Sequence, residues 1–218
     1  MEKILKKTTS EKVYESIKSS IVMGNLSPNQ PIFEVELAES LGVSRTPVRE
    51  ALKVLSQESW VKQKSPNRLI VSPLSKKEVE DLFFIRAYLE ALSVKQSMIN
   101  NIGDLISSLE IVIIKMQKKP EKVLNYGKEF HEIILKLTDN MYLIKILSEN
   151  KERIEMYRRL SVSKVTERPE HAINEHIKIF EAIKSNDIEK AEKKMSDHIN
   201  NSYENIVFSE KIFNEYNQ

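Results

Sequence analysis

Four histidines stand in a chain that has no cysteine: His131, His171, His176 and His198. Three of them fall on apolar helical stripes. His176 has Ile173, Ile179, Phe180 and Ile183 at i−3, i+3, i+4 and i+7, His131 shares a face with Leu124, Ile134 and Leu135, and His198 follows Ala191 and Met195. Residues three and four apart share a helix face, so each imidazole sits on the inward side of its own helix. Three inward imidazoles can converge, and three neutral nitrogens suit Zn²⁺, Ni²⁺ or Mn²⁺, with water or a ligand completing the shell. The bland alternative is three packed core histidines. His171, next but one to Pro169, reads as a surface residue.

A second set of residues is cationic. The stretch LAESLGVSRTPVREALKVL, residues 37–55, holds two short helical patterns around a Gly-Val-Ser turn. On the later pattern Val48, Ala51 and Leu55 share one face, Thr46, Arg49, Glu50 and Lys53 lie opposite, and Arg45 sits at the border. Two arginines and a threonine at a helix N-terminus suit a DNA major groove, because guanidinium groups reach guanine edges or phosphates and first-turn N–H groups favour a phosphate. The same pattern also describes a solvated face with i,i+4 pairs. A buried guanidinium is expected as well: Arg86 lies among Val79, Leu82, Phe83 and Leu89, and Glu90 at i+4 can be its structural partner.

The elements that must carry these residues are mostly helices. Before the cationic helix, SEKVYESIKSSIVMG reads as a first helix, with Ser10 as its cap and Gly24 as its stop, and Val35, Leu37, Ala38 and Leu41 mark a second that ends at Gly42. The third runs from about Ser44 to Gln57. WVKQKSPNRLIVSPLS then places two β-favouring runs, 60–63 and 69–72, around a turn, which predicts a hairpin able to act as a wing, with Lys62, Lys64 and Arg68 facing a DNA backbone or minor groove. Six further helices are expected at about 76–100, 103–118, 121–138, 141–161, 168–185 and 187–214. The fold class is therefore mainly α, a winged helix-turn-helix over residues 1–73 followed by an antiparallel six-helix bundle over 74–218.

Composition bounds the setting. The 218 residues are 40% hydrophobic and 30% charged with only 4 Gly and 7 Pro, which suits a helix-rich globular chain. The absence of cysteine excludes a disulfide scaffold and thiolate metal sites. Residues 1–73 carry 11 Lys+Arg against 8 Asp+Glu, and the rest 23 against 24, so the small net charge of +2 is concentrated at the N-terminal end. The opening residues have no apolar run of signal-peptide length, and no segment reaches the ~18 uninterrupted apolar residues of a membrane span. A soluble cytoplasmic protein without membrane contact is expected.

Residues 37–61, LAESLGVSRTPVREALKVLSQESWV, resemble the winged helix of GntR-family transcription regulators, whose pattern is L-A-x-x-L-x-V-S-R-x-P-V-R-x-A-L-x-x-L. The resemblance implies that Arg45, Thr46 and Arg49 contact an operator, that Ser44 caps their helix, and that Glu34, Lys53 and Arg68 are further DNA-facing candidates. Four positions depart from the family: Ser59 stands where a Gly precedes the wing, Asn67 and Arg68 replace an Arg-Gly pair at its tip, and Asn29 replaces a loop Gly. The segments FFIRAYLEALSV, EFHEIILKLTDN and NEHIKIFEAIKSNDIEKAEKKMSDHI are similar to the FCD ligand-binding domain of the FadR subfamily. In its metal-binding members a carboxylate four residues before the first histidine joins three histidines, and here that position is Gly127.

The resemblance also implies a small organic-acid effector, with Arg86 binding its carboxylate and Arg153, Tyr157 and Arg158 as further pocket candidates, in a homodimer that reads a pseudo-palindromic double-stranded DNA operator. Two rival readings stand beside this regulator. One is a three-His metal-dependent hydrolase with a DNA-binding appendage, against which no Glu or Asp near the histidines reads as a general base and no nucleophile motif occurs. The other is a DNA-binding protein whose helical half only dimerises.

Overall fold

The computed structural model describes residues 7–66, 68–162 and 169–208. They form two compact units that part between Ser75 and Lys76.

In the first unit, α1 (Thr9–Val22) is capped by Thr8 rather than by Ser10. The Thr8 hydroxyl accepts from Glu11 N–H and the Glu11 carboxylate accepts from Thr8 N–H, a reciprocal pair that satisfies two otherwise orphan donors. Helix α2 (Glu34–Leu41) ends at Gly42, whose φ of 64° gives the left-handed turn into α3 (Arg45–Gln57). Ser44 occupies the N-cap of α3 with extended backbone, but its side chain makes no capping hydrogen bond. Val48, Ala51, Leu52 and Leu55 of α3 are buried with Val13, Ile17 and Ile21 of α1. This apolar ridge holds α3 in place with its polar side outward.

The expected hairpin forms as β2 (Val61–Ser65), which begins one residue later than its apolar run suggests, and β3 (Arg68–Val71), which begins one residue earlier, antiparallel with a register irregularity between Gln63 and Ser65. Asn67, at the expected wing tip, lies outside the described residues. A third strand, β1 (Pro31–Ile32), pairs with the other edge of β3 and was not legible in the sequence. Two residues are too few to show alternation. Asn29 and Ser59, where the family pattern has Gly, both adopt left-handed backbone, with φ of 64° and 61°.

The second unit is all helix among the described residues. Its long α4 (Lys76–Lys118) contains the first two expected helices, joined across a kink at Asn101 (φ −148°, ψ 44°) rather than broken at Gly103. Side-chain amides stitch the kink to its neighbour: Asn100 and Asn101 donate to the carbonyls of Thr138 and Leu137. A 3₁₀ turn (Pro120–Lys122) leads into α5 (Val123–Lys136), followed by α6 (Met141–Val162), α7 (Pro169–Lys184) and α8 (Ile188–Phe208). Residue 168 and residues 209–214, the expected ends of the last two helices, lie outside the described residues. The turns after α5 and α7 are made by Asp139 and Asn186 in left-handed conformation.

By length and composition α4 is apolar enough to cross a membrane, but it is the central helix of this bundle, packed on α5, α7 and α8. Val79, Phe83, Leu105, Leu109, Phe130, Ile134, Ile179, Ile183, Met195 and Ile199 form the core. The outer side of α4 leaves Phe84, Ile85, Tyr88, Leu92 and Ile99 exposed.

Candidate functional site

His131 on α5, His176 on α7 and His198 on α8 meet inside the bundle. All three are buried, and each offers a ring nitrogen within 4.8 Å of the other two. The Nε2 atoms of His131 and His198 are 3.3 Å apart. Helix α5 presents His131 on the same buried side as Gly127, Phe130 and Ile134. The Phe130 ring packs edge-on against His176, with centroids 4.9 Å apart.

The outer nitrogens are tied down. His131 Nδ1 meets Glu90 Oε2 at 2.8 Å, His176 Nδ1 meets the Ala172 carbonyl at 2.7 Å, and His198 Nδ1 meets Glu175 Oε2 at 2.7 Å. Carbonyls and carboxylates only accept, so each Nδ1 carries the proton and each Nε2 turns a lone pair inward. His176 Nε2 is buried with no hydrogen-bond partner. Two facing lone pairs and an orphaned third are unfavourable in a dry interior unless something positive lies between them. This arrangement fits a divalent cation.

The electrostatics agree. Burial pushes His131 down to about 4 against the pull of Glu90. Burial also drives His176 well below its ordinary value, and the neighbouring His198 and His131 add to it. Both rings are thus neutral, as ligands must be. Burial raises Glu90 and Glu175, but the charges and hydrogen bonds around them outweigh it: His131 and Arg86 for Glu90, His198 and Asn201 for Glu175, leaving both below the usual carboxylate range.

The pairing of these two carboxylates with His131 and His198 was not legible in the sequence. Glu175 is a chain neighbour of His176 yet serves His198, and Glu90 reaches His131 across 41 residues. Both lie behind the rings, where they orient ligands rather than meet a reacting group. His171 is exposed, as expected, with its Nδ1 3.6 Å from Glu175.

Two cavities reach the imidazoles. One, of about 270 Å³, is lined by Arg86, Glu90, His131, Lys128, Lys151 and Arg158 among others. The second, of about 160 Å³, is lined by His176, His198, Glu175, Ser202, Asn205 and Arg158. Arg86 makes the expected pair with Glu90, its Nε donating to Oε1 at 3.0 Å, and it also lines the first cavity. Arg153 and Tyr157 do not line either cavity. Arg153 pairs with Glu78 at 2.6 Å, and Tyr157 is buried, its hydroxyl pushed up to about 12 by desolvation and by Glu78. The guanidinium of α6 that reaches the histidines is Arg158.

On the first unit, Arg45, Thr46, Arg49 and Lys53 stand exposed along α3, as do Ser44 ahead of it and Arg68 on β3. Glu34, at the start of α2, gathers the arginines: its carboxylate accepts from Arg49 Nε and Nη2, the latter at 2.9 Å, and lies 3.7 Å from Arg45 Nη2. Arg45 and Arg68 line one groove with Glu34 and Phe33, so α3 and the hairpin share a concave surface. The Glu34 contact was not legible as an ion pair, because 15 residues separate it from Arg49.

Comparison with known proteins gives two family matches: bacterial regulatory proteins of the gntR family over residues 9–70 and the FCD domain over residues 81–201. An uncharacterised HTH-type transcriptional regulator, YdhC of Bacillus subtilis, is 29% identical over 88% of both chains. The HTH-type transcriptional repressor RspR of Escherichia coli is 24% identical over 90% of this chain and 88% of its own. The structure of E. coli McbR/YncC shares the fold with a TM-score of 0.74, at 20% identity, over 94% of this chain and 99% of that one. The relatives are transcriptional regulators and not enzymes, which sets the hydrolase reading aside.

Proposed function

The chain belongs to the GntR family of bacterial transcriptional regulators that carry an FCD domain, and we propose that it is a cytoplasmic, homodimeric repressor of the FadR subfamily whose operator affinity is set by a small carboxylate bound beside a divalent ion. The observation that carries this reading is the buried His176 Nε2, without a partner, grouped with two more imidazole lone pairs, one of them on His131, which lines the cavity that holds Arg86.

Glu90, Glu175 and the Ala172 carbonyl hold the three rings in the ligand tautomer. A Zn²⁺, Ni²⁺ or Mn²⁺ ion held by the imidazoles supplies an open coordination position for an oxygen ligand. Arg86, kept in place through its Nε by Glu90, receives the effector's carboxylate by charge-assisted hydrogen bonds. Binding there stabilises one arrangement of the helices over another and so changes the fraction of dimers that fit the operator, a coupling typically worth about 1–3 kcal/mol.

On the DNA side, Arg45, Thr46 and Arg49 read base edges or phosphates in the major groove, Ser44 and Lys53 meet the backbone, and Arg68 follows from the wing. Glu34 holds Arg49 extended until DNA arrives. The exposed stripe Phe84, Ile85, Tyr88, Leu92 and Ile99 on α4 supports the dimer, since a row of large apolar side chains at helical spacing gains by being covered by its own copy.

The test combines elemental analysis of the purified protein, a thermal-shift screen of organic acids, and binding to duplexes selected from a random pool. Close to one divalent ion per chain and a carboxylate that both raises Tm and weakens duplex binding are expected. Replacing Arg86 by Met removes both effects of the carboxylate and leaves effector-free DNA binding intact; a variant that still responds fully overturns the pocket assignment.

A further inference from the structure

Among the described residues of the first unit, the large apolar side chains that stand exposed are Met23, Phe33, Val35 and Val54. Two of them share a surface. Phe33 and Val35 line the groove between the start of α2 and the hairpin, together with Arg45 of α3 and Arg68 of β3. On the hairpin side Gln63 borders the groove, its side-chain amide turned back to donate to the Pro66 carbonyl at 2.8 Å. Glu34, between the two apolar residues in the chain, lies 3.7 Å from Arg45 Nη2. The apolar pair thus sits next to the guanidinium groups of the cationic surface.

Helix stability does not call for a phenyl ring at residue 33. Phe33 is the N-cap of α2, where Ser, Thr, Asp or Asn would accept from a first-turn N–H, and its side chain makes no capping bond. Its ring is 54% exposed, and Val35, in the first turn of the helix, is 45% exposed. Core packing therefore explains neither residue. Exposed apolar side chains scattered singly are ordinary, but this pair is gathered in one concave place and flanked by cations. The cations fit a polyanion, and the major-groove edge of DNA carries one apolar group, the thymine C5-methyl. Arginines read guanine and phosphate, whereas an apolar side chain reads that methyl.

We propose that Phe33 and Val35 read thymine: in the operator complex they pack on the C5-methyl of a thymine beside the base pair that Arg45 contacts, so that α2 as well as α3 selects sequence. The proposal rests on the reading of α3 as the operator-contacting helix. Arg45 and Arg49 carry charge that gives affinity for many duplexes, and the apolar pair gains only where a methyl group is present. The start of α2 then sharpens the choice among sequences without adding to non-specific binding.

Replacing single thymines by deoxyuridine, in a duplex selected by the full chain, tests this, since the exchange deletes the methyl group and keeps every hydrogen-bonding atom. The expected result is a loss of roughly 3- to 5-fold in affinity at one or more thymines, the worth of one buried methyl group. The double variant Phe33→Ser, Val35→Thr should bind the selected duplex at least about 10-fold more weakly and no longer distinguish thymine from deoxyuridine at those positions. Its affinity for random-sequence duplex should be unchanged, because that binding is electrostatic. Its Tm should not fall, because a serine at the N-cap accepts from a first-turn N–H. Equal affinities for thymine and deoxyuridine at every position, or a discrimination undiminished in the double variant, overturn the proposal. A double variant weakened equally on every duplex overturns it too, since that loss belongs to a contact with sugar or phosphate.

Arg49→Ala separates this failure from failure of the reading of α3. Where that variant binds the selected duplex more weakly and deoxyuridine makes no difference to the unsubstituted chain, the thymine contact is wrong and α3 remains the reading helix. Where Arg49→Ala binds with unaltered affinity, the reading of α3 falls and the proposal with it. The thymine comparison on the unsubstituted chain decides the proposal even if the double variant does not fold.

Discussion

The polar face of α3 and the imidazole centre of the bundle both gather side chains of one character around carboxylates, but they do so in opposite surroundings. Arg45 and Arg49 are about two-thirds exposed, and the Glu34 carboxylate between them is itself in contact with water. Exposed ion pairs contribute little and exchange readily, so this cluster can hand its arginines to a phosphate or a guanine at small cost. At the imidazole centre Glu90 and the three rings are all buried, the hydrogen bonds fix tautomers as well as positions, and one nitrogen is left with no partner. The surface keeps its charges exchangeable, whereas the interior fixes its lone pairs in one place and leaves a specific charge to be supplied. A face that must meet many DNA sequences before finding one benefits from the first arrangement, and the second suits the small-ligand site proposed above.

The most severe way to break the interior half of this comparison is to remove a ligand. His176→Ala should take the divalent metal content from about one per chain to near zero and abolish the rise in Tm on adding metal, while duplex binding without effector persists. Stoichiometric metal in this variant would show that the imidazoles are merely packed. The matching change on the surface is Arg49→Ala. It should weaken the selected operator by roughly 5- to 150-fold and leave metal content and Tm unchanged, because an exposed arginine carries no part of the core. Unaltered operator affinity would remove α3 as the reading helix.

Acid should separate the two regions by degree. His131, pushed down to about 4, and His176, well below its ordinary value, stay neutral in the folded chain. Unfolded, each takes up a proton below about 6.5. Their neutrality therefore costs nothing above that pH and destabilises the fold as pH falls toward 4. In metal-stripped protein at pH 5.5 this amounts to roughly 1 kcal/mol for His131, and His176 adds to it in the same direction. Thermal melts from pH 7.5 to 5.5 should show a steady loss of Tm that a His131→Gln, His176→Gln double variant lacks; parallel curves would mean that the rings titrate normally.

The smallest expected effect lies beside the DNA face. Asn29 and Ser59 hold left-handed backbone at positions where the family pattern has Gly. Ser59→Gly relieves the clash of a Cβ in that region and should stabilise the protein by about 0.5–1 kcal/mol, with Asn29→Gly gaining less because Asn tolerates this conformation. Denaturant melts measure both, and a destabilised Ser59→Gly would show that the Ser side chain contributes more than its backbone costs.

The polar and apolar faces of α3 follow from a helical period that local sequence displays directly, and the consensus around Arg45 and Arg49 adds the family. The helices of the second unit were legible for the same reason, although the kink at Asn101 rather than Gly103 was not, because it is set by amide bonds to the far end of α5. Strand β1 was missed because its two residues become a strand only by pairing with β3. Of Arg153, Tyr157 and Arg158, all expected at the pocket, only Arg158 lines it, a distinction of rotation about α6 that no count of apolar residues resolves.

By itself the sequence determined that three histidines sit on the apolar sides of three helices, that residue 127 can supply no ligand, and that the cationic helix opens with two arginines. Only the tertiary structure decided that the three rings meet, that Glu90 and Glu175 fix their tautomers, and that Arg158 lines both cavities beside them. The physical reason is range. A helical stripe is written within a dozen residues, whereas His131 finds Glu90 across 41 positions and His198 across 67, and such partners are chosen by the packing of whole helices.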